Sequence, residues 1–460
     1  MQLHPDQVVG RQEENLVQLP SAKLARLLKR HVGHVAGLAD DDMPKLSLTE
    51  SHVDKQRFRD LASVIEKSRS DFDYAYSKGI MTLYARSLGQ RHVELEPGRS
   101  VIEFARGSYL GLDNHPMIVD AAIAALASYR SIQWSGARTR LNFSLTGDLE
   151  YSLSGLFDAR VVVYSLVLTA NMSALPLLAC GAFTRGRKPV LVFDRFAHAT
   201  LAYHKAVMAE DAEVLQIRHN DIEELEGICQ KHTCVAYICD GVYSMGGNAP
   251  IGELLRLQER YGLFIYIDDA HGISIRGRHG QGYAKSQITD LGENTIIAAS
   301  LSKGFGVTGG VLMLGTEEQE KLLRRYAVPH AFSMGPDLAG IAGALASAEI
   351  HRSAELAERQ ARLRRVVQAF DEKMPTQSSG DGMPIRMVPI GESRAAVDTA
   401  AELLRRGFYV AAAFYPTVPR DKAALRVCLT ADHSLEEVTQ LCESIRDIAR
   451  ANSSIDDLLG

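Results

Sequence analysis

At 460 residues, with 46% hydrophobic and 23% charged residues, the chain has the balance of a globular protein and is too long for one ordinary domain. Its formal net charge of −5 supplies no global basic field, which excludes nucleic acid as an expected partner. Its apolar runs fall short of the about 20 consecutive apolar residues that a bilayer span needs, so no transmembrane segment is expected.

Residues 1–70 read as an extension, acidic around Glu13-Glu14 and Asp40-Asp41-Asp42. Between these lies an amphipathic helix, capped by Ser21, with Leu24, Leu27, Leu28, Val32 and Val35 at helical spacing and Lys23, Arg26, Lys29 and Arg30 among them. A packing helix is the plain expectation; a docking site for an acidic carrier protein or a membrane surface is the alternative. Residues 71–345 are expected to form a large domain. In it the apolar runs 161–164, 189–193, 234–239, 263–267, 295–299 and 311–314 read as strands alternating with amphipathic helices such as 222–231 and 251–261. That alternation predicts an α/β fold with a largely parallel sheet flanked by helices and ligands at its strand ends. From residue 346 a long helix to about 370, strands at 385–390, 409–413 and 425–429, and a helix from 436 predict a smaller α+β domain. The six cysteines include no CxxC pair, and nothing at the start resembles a signal peptide, so a cytoplasmic location is expected. Cys234 and Cys239 lie in a strand-like run where buried thiols are commoner than metal ligands, and no metal site is expected.

Two strand ends carry chemistry. Residues 263–267 deliver Asp268-Asp269-Ala270-His271-Gly272, and residues 295–299 deliver Ser300-Leu301-Ser302-Lys303-Gly304-Phe305-Gly306. Ser300 and Lys303 have S-x-x-K spacing, but neither S-D-N nor K-T-G occurs in the chain. The run from Gly304 to Gly309 satisfies G-x-G-x-x-G, yet it leads into a strand where the dinucleotide fingerprint requires a helix. A Schiff-base lysine, with hydroxyls before it for phosphate and glycines after it for close backbone approach, uses every feature.

The chain resembles the α-oxoamine synthases, fold-type I pyridoxal-phosphate enzymes, over roughly residues 100–445. The marks are Tyr109-Leu110-Gly111-Leu112, Asp194 with Ala197-His198-Ala199, His219-Asn220-Asp221, Asp240-Gly241-Val242-Tyr243-Ser244-Met245, the two strand ends above, Pro416-Thr417-Val418-Pro419 and Leu425-Arg426-Val427. The resemblance implies pyridoxal 5′-phosphate held by Lys303, with Asp268 on the pyridine nitrogen, His198 on the ring face, His271 and Ser244 on the phenolic oxygen, and Asn171 and Ser300 among the cofactor contacts. It further implies Ser333 lent to the partner subunit's phosphate, Arg426 on the substrate carboxylate, and Ser108 and Tyr109 at the substrate. The implied catalytic set is Lys303, His198, Asp268 and His271.

The implied reaction is the decarboxylative condensation of an amino acid with an acyl thioester, on coenzyme A or an acyl carrier protein, in a homodimer with shared sites. Transamination would use the same Lys303 and Asp268, although aminotransferases resemble one another in placing tyrosine near His271. A non-catalytic paralogue typically lacks the lysine. The chain departs from the family pattern at Gly107 (usually asparagine), at Val167-Leu168 (usually glycine and an aromatic), within 138–146 and within 332–336.

Overall fold

In the computed structural model, residues 61–451 are described, and they fall within a single compact unit. The amphipathic helix expected at 21–35 lies outside them. Three short strands come first, β1 (Arg86–Gly89), β2 (His92–Glu96) and β3 (Arg99–Glu103). The six strands expected in the large domain follow as β4 (Arg160–Tyr164), β5 (Val190–Asp194), β7 (Val235–Asp240), β8 (Phe264–Asp268), β9 (Thr295–Ser300) and β10 (Gly310–Leu314), with β6 (Val214–Ile217) added. They form one seven-stranded sheet in the order β4-β10-β9-β8-β7-β5-β6. Every residue of β5, β7, β8, β9 and β10 is buried, as continuous apolar runs covered on both faces require.

Six strands of the sheet run in one direction, five of them directly paired in parallel, and β10 runs antiparallel to both β9 and β4. Residues 301–309 between β9 and β10 are too few for the helical crossover that a parallel return demands. β6 escapes sequence reading because it is short, at the edge and buried only at its two end residues.

The helix expected from 346 to 370 is two helices, Leu338–Arg352 and Ala354–Lys373. Ser353 separates them in extended conformation, its side chain accepting from the Glu355 N–H, so a cap replaces continuation. The strand expected at 409–413 also divides. β12 (Phe408–Tyr409) pairs in parallel with β3, whereas β13 (Ala411–Ala413) joins β11 (Ile385–Gly391) and β14 (Ala423–Cys428) in the order β11-β14-β13. Residues 86–103, counted by sequence with the large domain, thus share a sheet with β12. Phe104 then bridges to β14, donating to Tyr409 O and accepting from Cys428 N. Among the described residues no helix is long and apolar enough to cross a membrane.

Candidate active site

The carboxyl ends of the parallel strands bring the site together. Asp240 on β7 lies in register with Asp268 on β8, and Ser300 at the end of β9 lies in register with Gly310. Asp268 is 3% exposed, and its oxygens accept from Asn171 Nδ2 at 2.9 Å, Thr200 Oγ1 at 3.5 Å and Ala270 N at 3.1 Å. The amide of Asn171 is itself fixed, since its Oδ1 accepts from Tyr266 O–H at 2.8 Å. Two adjacent buried carboxyls cannot both be charged cheaply, and Asp240 carries the burden: burial and the neighbouring Asp268 hold it well above the usual range. Asp240 also accepts from the His198 backbone N–H at 3.0 Å. His198 Nδ1 lies 2.9 Å from Thr200 Oγ1, and burial lowers the imidazole pKa while Asp268 opposes it.

The approach of His198 is set by Asp194 at the end of β5. That carboxylate accepts from Tyr237 O–H at 2.9 Å, Asn220 N at 2.8 Å and Phe196 N at 2.7 Å, and His219 Nδ1 lies 3.1 Å away. The turn carrying His198 therefore starts from an anchored residue.

A second chain of contacts links His271 to Arg426. His271 Nδ1 lies 2.7 Å from Tyr109 O–H. Burial pushes His271 well below its ordinary value and Tyr109 well above its own, so the imidazole is neutral and the phenol keeps its proton. The Arg426 guanidinium acts on the same phenol, holding its pKa down against burial, and presents only donors to it. With donors only on the Arg426 side of the phenol, the favoured polarity has Tyr109 donating to Nδ1 and Nε2 of His271 carrying the remaining proton. Arg426 further donates from Nε to Ser244 O at 2.7 Å and from Nη1 to Cys428 Sγ at 3.0 Å. Among the described residues no carboxylate lies within ion-pair distance of this arginine or of Lys303.

Lys303 follows β9 on a turn whose Gly306 adopts φ +84°. Burial lowers the Lys303 pKa, Asp268 opposes that, and Arg426 adds to it. Its alkyl chain lies against Gly107, where a Cβ would stand 3.1 Å from Lys303 Cγ. The glycine that departs from the family pattern thus stands directly against the lysine stem.

These residues fit pyridoxal phosphate. An amine of lowered pKa stands near a buried carboxylate, and two hydroxyls, Ser300 and Ser302, lie 2.7 Å apart at the strand end. The helix Val167–Ala179 begins beside Gly310, where a Cβ would overlap the Leu166–Val167 backbone. Its first N–H groups and the serines therefore flank one strand end, a donor set suited to phosphate. Three expected residues join the cluster differently or not at all. Ser244 contributes its carbonyl to Arg426. Ser108 Oγ is engaged with Asp113 at 2.7 Å, within a buried network around Arg91. Ser333 Oγ donates to Pro329 O at 2.8 Å, between the exposed Phe332 and Met334. Asp240, Thr200, Tyr266 and Cys428 belong to the cluster and were not singled out as site residues. Asp240 was legible, since it ends an apolar run as Asp268 does; the others needed the fold.

The profile of the family described as Aminotransferase class I and II matches residues 99–445. Among curated relatives, the 8-amino-7-oxononanoate synthase of Maricaulis maris is 31% identical over 378 residues, covering 80% of this chain and 91% of that protein. The mitochondrial 2-amino-3-ketobutyrate coenzyme A ligase of Bos taurus is 27% identical, covering 79% and 86%. Among solved structures, a serine palmitoyltransferase from S. paucimobilis with bound PLP–myriocin has a TM-score of 0.74 at 21% identity, covering 85% of this chain and 99% of that one. The 8-amino-7-oxononanoate synthase of Francisella tularensis has a TM-score of 0.65 at 20% identity, covering 77% and 99%. The chain belongs to the aminotransferase class I and II family and, within it, to the pyridoxal-phosphate-dependent α-oxoamine synthases.

Proposed function

We propose that this enzyme joins a free α-amino acid to an acyl thioester at the cluster of Lys303, Asp268, His198, His271 and Arg426. The observation that carries the reading is Arg426: a half-buried guanidinium with no acidic partner among the described residues, in the same electrostatic cluster as Lys303 and His271. An unpaired cation largely withdrawn from water is costly, and a substrate carboxylate would offset that cost. The relatives' names, 8-amino-7-oxononanoate and 2-amino-3-ketobutyrate, both describe an amino-bearing carbon next to a carbonyl. In the balanced reaction the acyl carbon bonds to the α-carbon, the carboxyl leaves as CO2, and the thiol leaves with a proton.

Bound pyridoxal phosphate supplies an electron sink that stabilises negative charge at the α-carbon. Lys303 would hold it covalently, with Asp268 keeping the pyridine nitrogen protonated, Asn171 and Thr200 orienting Asp268, and His198 lying on the ring face. Ser300 and the helix beginning at Val167 would hold the phosphate, and Nε2–H of His271 the phenolic oxygen. Arg426 fixes the substrate carboxylate. Lys303 Nζ, its pKa lowered by burial, takes the α-proton. The test is thiol and CO2 release by holoenzyme given single amino acids with an acyl-coenzyme A or an acyl carrier protein; keto-acid formation without thiol release would mean transamination.

Arg426→Lys keeps the charge and loses the planar fork. Amino-acid binding is expected to weaken by about 1.5–3 kcal/mol, roughly ten- to a hundredfold, with cofactor affinity spared. Spectral titration with the amino acid measures it, and an unchanged dissociation constant would assign the carboxylate to another group.

The proposed working unit is a cytoplasmic homodimer in which Ser333 reaches the partner subunit's phosphate. Supporting it, Ile132, Leu141 and Phe332 are 71%, 69% and 80% exposed, an apolar surface that a second copy would cover. Mixing Lys303→Ala subunits with Ser333→Asp subunits is expected to restore activity, since one site of each mixed dimer is then intact. No recovery in verified mixed dimers would argue for self-contained sites.

A further inference from the structure

His351 lies outside the cluster above, at the end of the helix Leu338–Arg352, and it is fully buried. Its Nδ1 lies 2.7 Å from Ser347 O and its Nε2 lies 2.9 Å from Ser274 Oγ. A carbonyl can only accept, so Nδ1 carries the proton and Nε2 accepts from the Ser274 hydroxyl. Burial pushes the imidazole down to about 4, which keeps this tautomer neutral at ordinary pH.

Each of these contacts leads to a segment of the active site. Ser274 closes the turn that follows Asp268 and His271, and it does so at φ +70°, a left-handed conformation that a residue with a Cβ adopts at some cost. Three groups hold it there: its N–H donates to Gly280 O at 2.9 Å, its carbonyl accepts from Gln360 Nε2 at 2.8 Å, and its hydroxyl is held by His351. On the other side, the His351 ring stacks on Phe305, two residues beyond Lys303, with centroids 4.3 Å apart. Ser347 Oγ, one turn back on the same helix, donates to Phe305 O at 2.7 Å. The two segments also meet directly, since a Cβ at Gly304 would stand 2.7 Å from Ile273 O and 3.0 Å from Ser274 Cβ.

We infer that His351 is a positioning residue that clamps the Lys303 turn and the His271 turn to each other, holding one by hydrogen bond and the other by ring stacking. The inference rests on the assignment of Lys303 and His271 to the reaction. None of these contacts leads to Arg426 or β14, so His351 sets the geometry of proton transfer without setting the grip on the substrate carboxylate.

The clamp is testable in cofactor-free protein by amide exchange. His351→Phe keeps the stack and loses both polar contacts, leaving the Ser274 hydroxyl without its partner, while the Ser347 carbonyl keeps only its intrahelical bond. Exchange within residues 271–280 and 303–307 is expected to rise about tenfold, with the sheet unchanged. In holoenzyme kcat is expected to fall about tenfold while the amino-acid KM moves less than about twofold. His351→Gln, whose Oε1 can accept from Ser274, is expected to recover most of the loss, and Ser274→Ala is expected to reproduce it and to add little to His351→Phe. Folded His351→Phe and Ser274→Ala proteins with unchanged exchange and kcat would overturn the clamp, as would exchange raised evenly across the whole chain. Should His351→Phe fail to fold, Ser274→Ala decides the question alone. Borohydride fixation of the cofactor on Lys303 in the native protein tests the underlying assignment separately.

Discussion

Replacing Lys303 with alanine is expected to lower kcat by about 10²–10⁴-fold, the range that a positioned proton-transfer group supplies. Borohydride should fix the cofactor to Lys303 in the native protein and to no residue in the variant, as read from peptide masses. The fold should survive. Lys303 has no ion pair among the described residues, and burial lowers its pKa, so its charged form is a cost to the folded state. The sign of the linkage follows. The unfolded chain binds the lysine proton more tightly than the folded one, so this group destabilises the cofactor-free protein below its folded pKa. That penalty fades as pH rises from the folded pKa towards the ordinary lysine value of 10.5. Cofactor-free Lys303→Ala should therefore be as stable as the native chain, or more so, at neutral pH, and the difference should shrink in alkali. A variant that loses activity because it unfolds at neutral pH would contradict this account, as would an unmodified Lys303 in the reduced native protein.

Asp268→Asn is the second large effect. It removes the negative charge and keeps the shape, and the Asn171 amide can still bond the remaining carbonyl oxygen. Loss of a preorganised charge at a buried site is expected to cost about 10²–10³-fold in kcat. Cofactor affinity should fall as well, because the pyridine nitrogen loses its ionic partner. The neighbouring carboxyl provides an internal check. Asp240 is held up first by burial and then by Asp268, so neutralising Asp268 should lower the Asp240 pKa without returning it to the ordinary range. Steady-state kinetics, a cofactor titration and a carboxyl-resolved NMR titration measure the three effects. Unchanged kcat and cofactor affinity would remove Asp268 from the pyridine nitrogen and point to Asp240 in its place.

The sequence by itself determined most of the parallel sheet and where its chemistry stands. Buried strands are written as short apolar runs, a strand end is where such a run meets Asp268 or Ser300, and both signals are local. Order and spacing of the motifs also sufficed for the family. Other features depended on contacts between distant segments. The edge strand β6 lacks a continuous apolar run. The break at Ser353 is a competition between a cap and a helix that periodicity cannot resolve. The division of 408–413 between two sheets depends on β3, some three hundred residues earlier in the chain. At the site, only the fold shows that the Ser108 hydroxyl bonds Asp113, which Arg91 pairs in turn. His351 is an unremarked helical histidine until Ser274 and Phe305 are folded against it. The proton polarity between Tyr109 and His271, beside Arg426, joins three separate segments, and only packing and burial decide which atom donates. Residue types and their local periodicity are carried by neighbours in the chain, whereas desolvation and hydrogen-bond direction are set by neighbours in space, which only the tertiary structure supplies.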